Sequence, residues 1–265
     1  MAARDVPREA RTPLVSMRWV LLDRARGFAL LAMIVYHALW DGFLFELLTP
    51  TLERDAAMRL AAQFIAGLFL VISGVSAALT AGMTRASLFK ARHYWRRFAI
   101  LCSAAALVSA ATFIALPDAP IYFGILHHIA FASLVLATLQ RLHPFVPAAL
   151  AAFVVIVDDT VAAPIMDNPL VIWLGLGTRA PITADWVPVF PWMAASLLGY
   201  ASGRQWIVPW LRSKPGRDKM AEETRTPARF YMPDILALGG RHSLAIYLIH
   251  QPILIGIIQL YLLFN

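Results

Sequence analysis

Seven long apolar runs constrain this chain more than any other feature. They cover residues 27–48, 57–82, 95–116, 120–140, 145–163, 188–209 and 242–264. A bilayer core of about 30 Å takes roughly 20 mostly apolar residues as helix. Helix is the form required, because no water is present there to satisfy open backbone groups. The composition agrees. Of 265 residues, 60% are hydrophobic and 15% charged, where a soluble domain runs near 45–50% and ~25%. Mean hydropathy is +0.66. The same richness in aliphatic and aromatic residues excludes a disordered chain. The expected fold class is all-α integral membrane: a polytopic bundle of about seven transmembrane helices. Pro50, Pro117, Pro120, Pro144, Pro164 and Pro188 fall at or near the ends of the runs, where helices stop.

The placement of charge predicts the topology. The formal net charge is +7. Arg4, Arg8, Arg11, Arg18, Arg24 and Arg26 precede or open the first run. Arg85, Lys90, Arg92, Arg96 and Arg97 lie between the second and third, and Arg141 and His143 between the fourth and fifth. Arg204, Arg212, Lys214, Arg217, Lys219, Arg225, Arg229 and Arg241 lie between the sixth and seventh. The alternate connections are poor in basic residues. Positive charge gathers on the cytoplasmic side of membrane proteins, so the N-terminus is expected in the cytoplasm and the C-terminus outside. Residues 1–26 then form a cytoplasmic segment and 27–265 a single transmembrane domain, with a polar cytoplasmic loop at about 210–233. The first run follows a charged stretch and has no A-x-A-type site after it, so it reads as a retained helix and not a cleaved leader. Basic residues divided by topology do not form a nucleic-acid surface. Cys102 is the one cysteine, which leaves no disulfide framework and no cysteine zinc site.

Titratable residues at membrane depth are costly and tend to mark function. The first run reads LDRARGFALLAMIVYHALWDGFLFE. Arg26 stands at its cytoplasmic edge, and His37, eleven residues on, lies about 16 Å deeper. Eleven residues are three turns, so the two share a face, with Asp41 one turn beyond. A carboxylate one turn from an imidazole can orient it and stabilise its charged form, as a general base requires. The competing account is a polar bridge between helices. In FGILHHIAFASL, His127 and His128 point to different faces, and only one of them fits a shared cavity. In GRHSLAIYLIHQPILIG, His250 and Gln251 are candidate cavity residues, and Pro252 invites a kink. No HExxH and no paired ligand spacing appears, so no metal site is expected. Trp40, Trp95, Trp186 and Trp192 suit interfacial belts, although Trp186 with Asp185 can also meet a sugar face.

Arg26, ten residues, then His37 resembles the Arg-x10-His pattern of integral-membrane acyltransferases of the acyltransferase-3 type. More closely, LDRARGFALLAMIVYHALWD, FGILHHIAFASL, FPWMAASLLGYASGR and LGGRHSLAIYLIHQPILIG are similar to segments of the bacterial relatives of heparan-alpha-glucosaminide N-acetyltransferase. The resemblance covers roughly residues 20–110, 120–142 and 188–264. It implies a helix bundle that takes an acetyl or other acyl group from cytoplasmic acyl-CoA. The bundle then delivers the group to an amine or hydroxyl of an extracytoplasmic glycan, with a glucosamine-like acceptor foremost. It also implies residence in the bacterial inner membrane and a catalytic role for Arg26 and His37, with Asp41 orienting His37 or holding the acceptor. On this reading Arg92, Arg96, Arg97 and Arg241 bind the CoA phosphates. His127, His128, His250, Asp185 and Trp186 meet the acceptor. Two departures stand out. The animal enzymes carry Asn at the position of His37, with their proposed catalytic His later, and residues 38–56 here contain no His. Many members also have ten or more helices, so this chain reads either as a minimal core or as one subunit of a homo-oligomer that completes the site. The rival functions are a small transporter or flippase with a His/Asp proton relay, and a non-catalytic membrane partner. The absence of an inverted repeat counts against transport.

Overall fold

The computed structural model describes residues 20–49, 52–83, 87–213 and 234–264. Arg4, Arg8, Arg11, Arg18, Arg85 and most of the 210–233 loop lie outside the described residues. Among the described residues, eight helices carry the fold: α1 Val20–Leu44, α2 Leu52–Met83, α3 Arg92–Ala115, α4 Ile125–Thr138, α5 Phe145–Thr160, α6 Val189–Ser202, α7 Ile235–Arg241 and α8 Ser243–Phe264. Among the described residues there is no strand, only a bridge between Phe123 and Trp186. Each of the seven apolar runs overlaps one of these helices. Among the described residues four helices, α1, α2, α3 and α8, are long and apolar enough to cross a membrane.

The other three differ from the expected spans for local reasons. α4 starts at Ile125 and not at 120, because residues 116–124 form a tethered loop. Ser109 Oγ donates to the Ile121 carbonyl at 2.6 Å, and the Ile121 N–H donates to Thr112 Oγ1 at 3.0 Å. This loop lies beside the segment before α6: Ala184 N–H donates to Ala119 and Val187 N–H to Phe123, at 3.0 and 3.1 Å. α4 is therefore 14 residues, about 21 Å. α5 ends at Thr160, just past Asp158 and Asp159. α6 continues through a π turn, Gly203–Ile207, into one further turn, Val208–Arg212. Pro209 supplies no N–H for the 205 carbonyl and its ring crowds it. The wider turn, closed by Val208 N–H on the Gly203 carbonyl, accommodates that.

α1 begins seven residues before the expected span and takes Asp23, Arg24 and Arg26 into the helix. It ends at Leu44, followed by Glu46 at φ 59°, a left-handed residue of the kind that closes helices. α7 is the element missed by the sequence reading. It is short, but Asp234 caps it by accepting the Ala237 N–H at 3.0 Å. α7 crosses α1 at backbone contact. A Cβ on Gly27 would stand 2.7 Å from the Leu236 carbonyl carbon, and one on Gly240 2.6 Å from that of Asp23. Arg24 and Asp234 close the crossing with an ion pair at 2.6 Å.

The main core joins α2, α4, α5 and α6 through Ala78, Leu136, Ala151, Val154, Leu197 and Tyr200. A second cluster, Leu30, Met33 and Ile65, joins α1 to α2 and receives Ile246 and Tyr247 of α8. Ala104, Ala105 and Leu126 join α3 to α4, again with Tyr247. Tyr247 thus sits where α1, α2, α3, α4 and α8 converge.

Candidate active site

α1 and α8 bring four polar residues together at that convergence. The His37 and His250 rings lie 5.1 Å apart, tilted by 55°. Tyr36 packs edge-on against His37 at 5.2 Å, and Tyr247 lies 5.7 Å from His250. Asp41 is 1% exposed. Both its oxygens accept from Gln251 Nε2, at 2.9 and 3.0 Å. Spacing of i, i+3 and i, i+4 explains each half of the arrangement: His37 and Asp41 on α1, Tyr247, His250 and Gln251 on α8.

The geometry gives Asp41 a partner on the facing helix, and among the described residues no hydrogen bond joins it to His37. Its carboxylate is held by Gln251 and lies within electrostatic reach of His250. His37 instead sits sideways between the Tyr36 and His250 rings. Sharing a face of α1 did not decide the partner; a better-placed amide on the facing helix did.

His250 has the more defined chemistry of the two imidazoles. It is 8% exposed, and Nδ1 lies 2.6 Å from the Tyr247 carbonyl. A carbonyl only accepts, so Nδ1 carries the proton and Nε2 keeps its lone pair. Nε2 is buried with no hydrogen-bond partner among the described residues, as is Gln251 Oε1. A basic nitrogen and an amide oxygen without partners, on adjacent residues, mark a place where a donor group can be received.

The remaining predicted residues fall into three groups. Asp185 is near the site: it lies within electrostatic reach of Tyr36 and Tyr247. Its Oδ2 also accepts the Ile125 N–H at 2.8 Å, at the N-terminus of α4, where a carboxylate is favoured. Gly124 permits this, since a Cβ there would stand 2.7 Å from the carboxyl carbon. Trp186 is tied by its backbone to Phe123. His127 closes the first turn of α4, taking the Gly124 N–H on Nδ1 at 3.3 Å and meeting Ser109 Oγ with Nε2 at 3.2 Å. His128 is fully buried, with Nδ1 3.1 Å from the Val187 carbonyl and Nε2 unpartnered. Both histidines hold α4 against its neighbours.

The arginines divide. Arg26 and Arg241 meet on Asp23, which is 4% exposed. Arg26 donates to Asp23 at 2.9 Å and to Ser76 Oγ at 2.6 Å. Arg241 approaches the other carboxylate oxygen at 3.6 Å. Asp23 and Ser76 were missed, although Asp23-x-x-Arg26 has helical ion-pair spacing. Arg92, Arg96 and Arg97 are exposed on the first turns of α3, and none joins this cluster. Among the described residues, no group of three or more His, Cys, Asp or Glu is placed to hold a metal ion.

The family model described as heparan-alpha-glucosaminide N-acetyltransferase, catalytic, matches residues 18–252. That stretch includes every site residue above. No curated protein and no solved structure matches the chain.

Proposed function

We propose, on the premise that this chain belongs to the heparan-alpha-glucosaminide N-acetyltransferase catalytic family and is a membrane acetyltransferase, that it moves an acetyl group from cytoplasmic acetyl-CoA to an amine or hydroxyl of an extracytoplasmic glycan. A glucosamine-type acceptor is foremost. The observation that carries the reading is the meeting of His37 and His250 between α1 and α8, beside a buried carboxylate.

The topology proposed is seven spans with the N-terminus inside, in a bacterial inner membrane. Arg26 and Arg241 then stand at the cytoplasmic end, with Arg92, Arg96 and Arg97 exposed on the same side to receive CoA phosphates. The pantetheine arm enters the bundle and presents its thioester at His37. The acceptor arrives from the opposite side, past Asp185 and Trp186. An imidazole of the His37–His250 pair takes a proton from the acceptor amine or hydroxyl. That nitrogen or oxygen attacks the thioester carbonyl, the new C–N or C–O bond forms, and the C–S bond breaks. The imidazolium returns its proton to the departing thiolate, giving acylated acceptor and free CoA thiol. In the covalent variant His37 first takes the acyl group and then passes it on. Asp41, acting through Gln251 and His250, positions the pair.

Purified protein is incubated with labelled acetyl-CoA, with and without glucosamine-type acceptors. Label moves to acceptor in the wild type, and His37→Ala abolishes transfer while remaining folded and inserted. General-base contributions are about 10²–10⁴-fold, so a well-expressed His37→Ala variant of undiminished activity removes the assignment. Label retained on protein without acceptor marks the covalent route.

A further inference from the structure

Between α1 and α2 runs an apolar groove of about 400 Å³, walled by Phe28, Leu31 and Val35 of α1 and Met58, Ala61 and Phe64 of α2. Phe28, Leu31, Val35 and Phe64 are each more than half exposed, so the groove opens outward, to the hydrocarbon around a spanning helix. Bulk lipid tails wet any such surface, and exposure alone would mean nothing. Tyr36 makes this groove different. It lines the groove, and the same ring packs on His37. Trp40 stacks on the same ring at 6.3 Å. The groove and the candidate active site therefore share a wall. On α1 the lining extends from Phe28 to Leu39, about 16 Å of helix, long enough to seat an extended alkyl chain. On α2 it lies wholly in the first half of the helix, toward the end of the bundle where Asp41 sits; on α1 it begins at Phe28, two residues beyond Arg26, and reaches Tyr36 and Leu39 beside His37.

We infer that this groove holds the apolar chain of a lipid-anchored acceptor and delivers its amine or hydroxyl head past Tyr36 to His37. The inference rests on the acyl-transfer reading above, in which the donor comes from the arginine end. The occupant reaching His37 from the groove is then the acceptor. Such an acceptor enters sideways from the bilayer and not from the aqueous phase. Tyr36, amphipathic by nature, stands where chain gives way to head.

The test uses the full chain in lipid nanodiscs with labelled acetyl-CoA and two acceptors, glucosamine and dodecyl glucosaminide. The dodecyl compound is expected to reach half-saturation at a concentration at least tenfold lower. Ala61→Phe and Leu31→Trp fill the groove from its lipid side. They are expected to raise that concentration tenfold or more and to leave transfer to glucosamine unchanged. A chain-length preference that persists in both filled variants reflects partitioning into lipid and overturns the inference, as does equal use of the two acceptors by the wild type. A dodecyl glucosaminide bearing a diazirine on its chain gives a readout independent of transfer. Label on residues 28–39 and 58–65, lost in Ala61→Phe, supports the groove; label spread evenly over α3 and α8 overturns it. Label in the groove without acetylation of either acceptor leaves the lipid site standing and removes the acyl-transfer reading.

Discussion

Replacing Gln251 by Leu takes the partner from a carboxylate that water does not reach. Asp41 is 1% exposed, and both its oxygens accept from the single nitrogen Nε2 at 2.9 and 3.0 Å. One nitrogen serving two oxygens counts as one charge-assisted bond, worth about 1.5–3 kcal/mol. Burial moves the cost to the upper end, so Gln251→Leu is expected to destabilise by about 3 kcal/mol. Asp41→Leu alone is expected to cost a similar amount. The double variant exchanges a polar pair for an apolar one and loses far less than the sum, giving a coupling of about 2–3 kcal/mol. The assay is reversible unfolding in mixed micelles titrated with SDS, followed by far-UV circular dichroism. A second cycle pairs Asp41 with His37, where coupling below about 0.5 kcal/mol is expected. Additivity at Asp41/Gln251, or strong coupling at Asp41/His37, would refute the partner assignment and restore the simpler picture of a carboxylate orienting His37.

Four further outcomes follow from the α1–α7 crossing. Asp23→Ala leaves Arg26 facing a buried gap and is expected to cost about 3 kcal/mol, with Arg241, 41% exposed, adding less than about 1; thermal unfolding in detergent measures both. Gly27→Leu forces side-chain atoms onto the Leu236 backbone and is expected to cost about 3 kcal/mol, whereas Gly239→Ala meets open space and is expected to gain about 0.5–1 kcal/mol of helix propensity. The Ala237 N–H and the Arg24 guanidinium hold the Asp234 carboxyl below its ordinary range. Its contribution is therefore full above the ordinary carboxylate value near 4 and is lost as the pH falls through the depressed folded value; melting curves between pH 6 and pH 3 should show this loss in the wild type and not in Asp234→Ala.

Long spans were legible because period, length and charge placement are properties of the chain alone. A run such as 95–116 has one low-energy form in hydrocarbon, and α3 formed within three residues of it at one end and one at the other. The axial distance of His37 from Arg26 was legible too, since both lie on the one helix α1 at 1.5 Å per residue. α7 was not, because a seven-residue helix with two glycines carries no apolar period. It exists because Gly27 and Gly240 let two backbones meet and Asp234 caps the turn. The late start of α4 was hidden for a similar reason: the pairing of 119–123 with 184–187 joins segments some sixty residues apart.

What the sequence determined by itself was the solvent, the helical class, and which elements carry titratable groups into the membrane. Which groups meet was decided by tertiary structure alone. Asp41 lies one turn from His37 on the same helix, yet it bonds to Gln251, 210 residues away. The physical reason is that periodicity places side chains on a face, whereas a hydrogen bond needs a partner within about 3 Å. In a close-packed bundle that last distance is set by the facing helix.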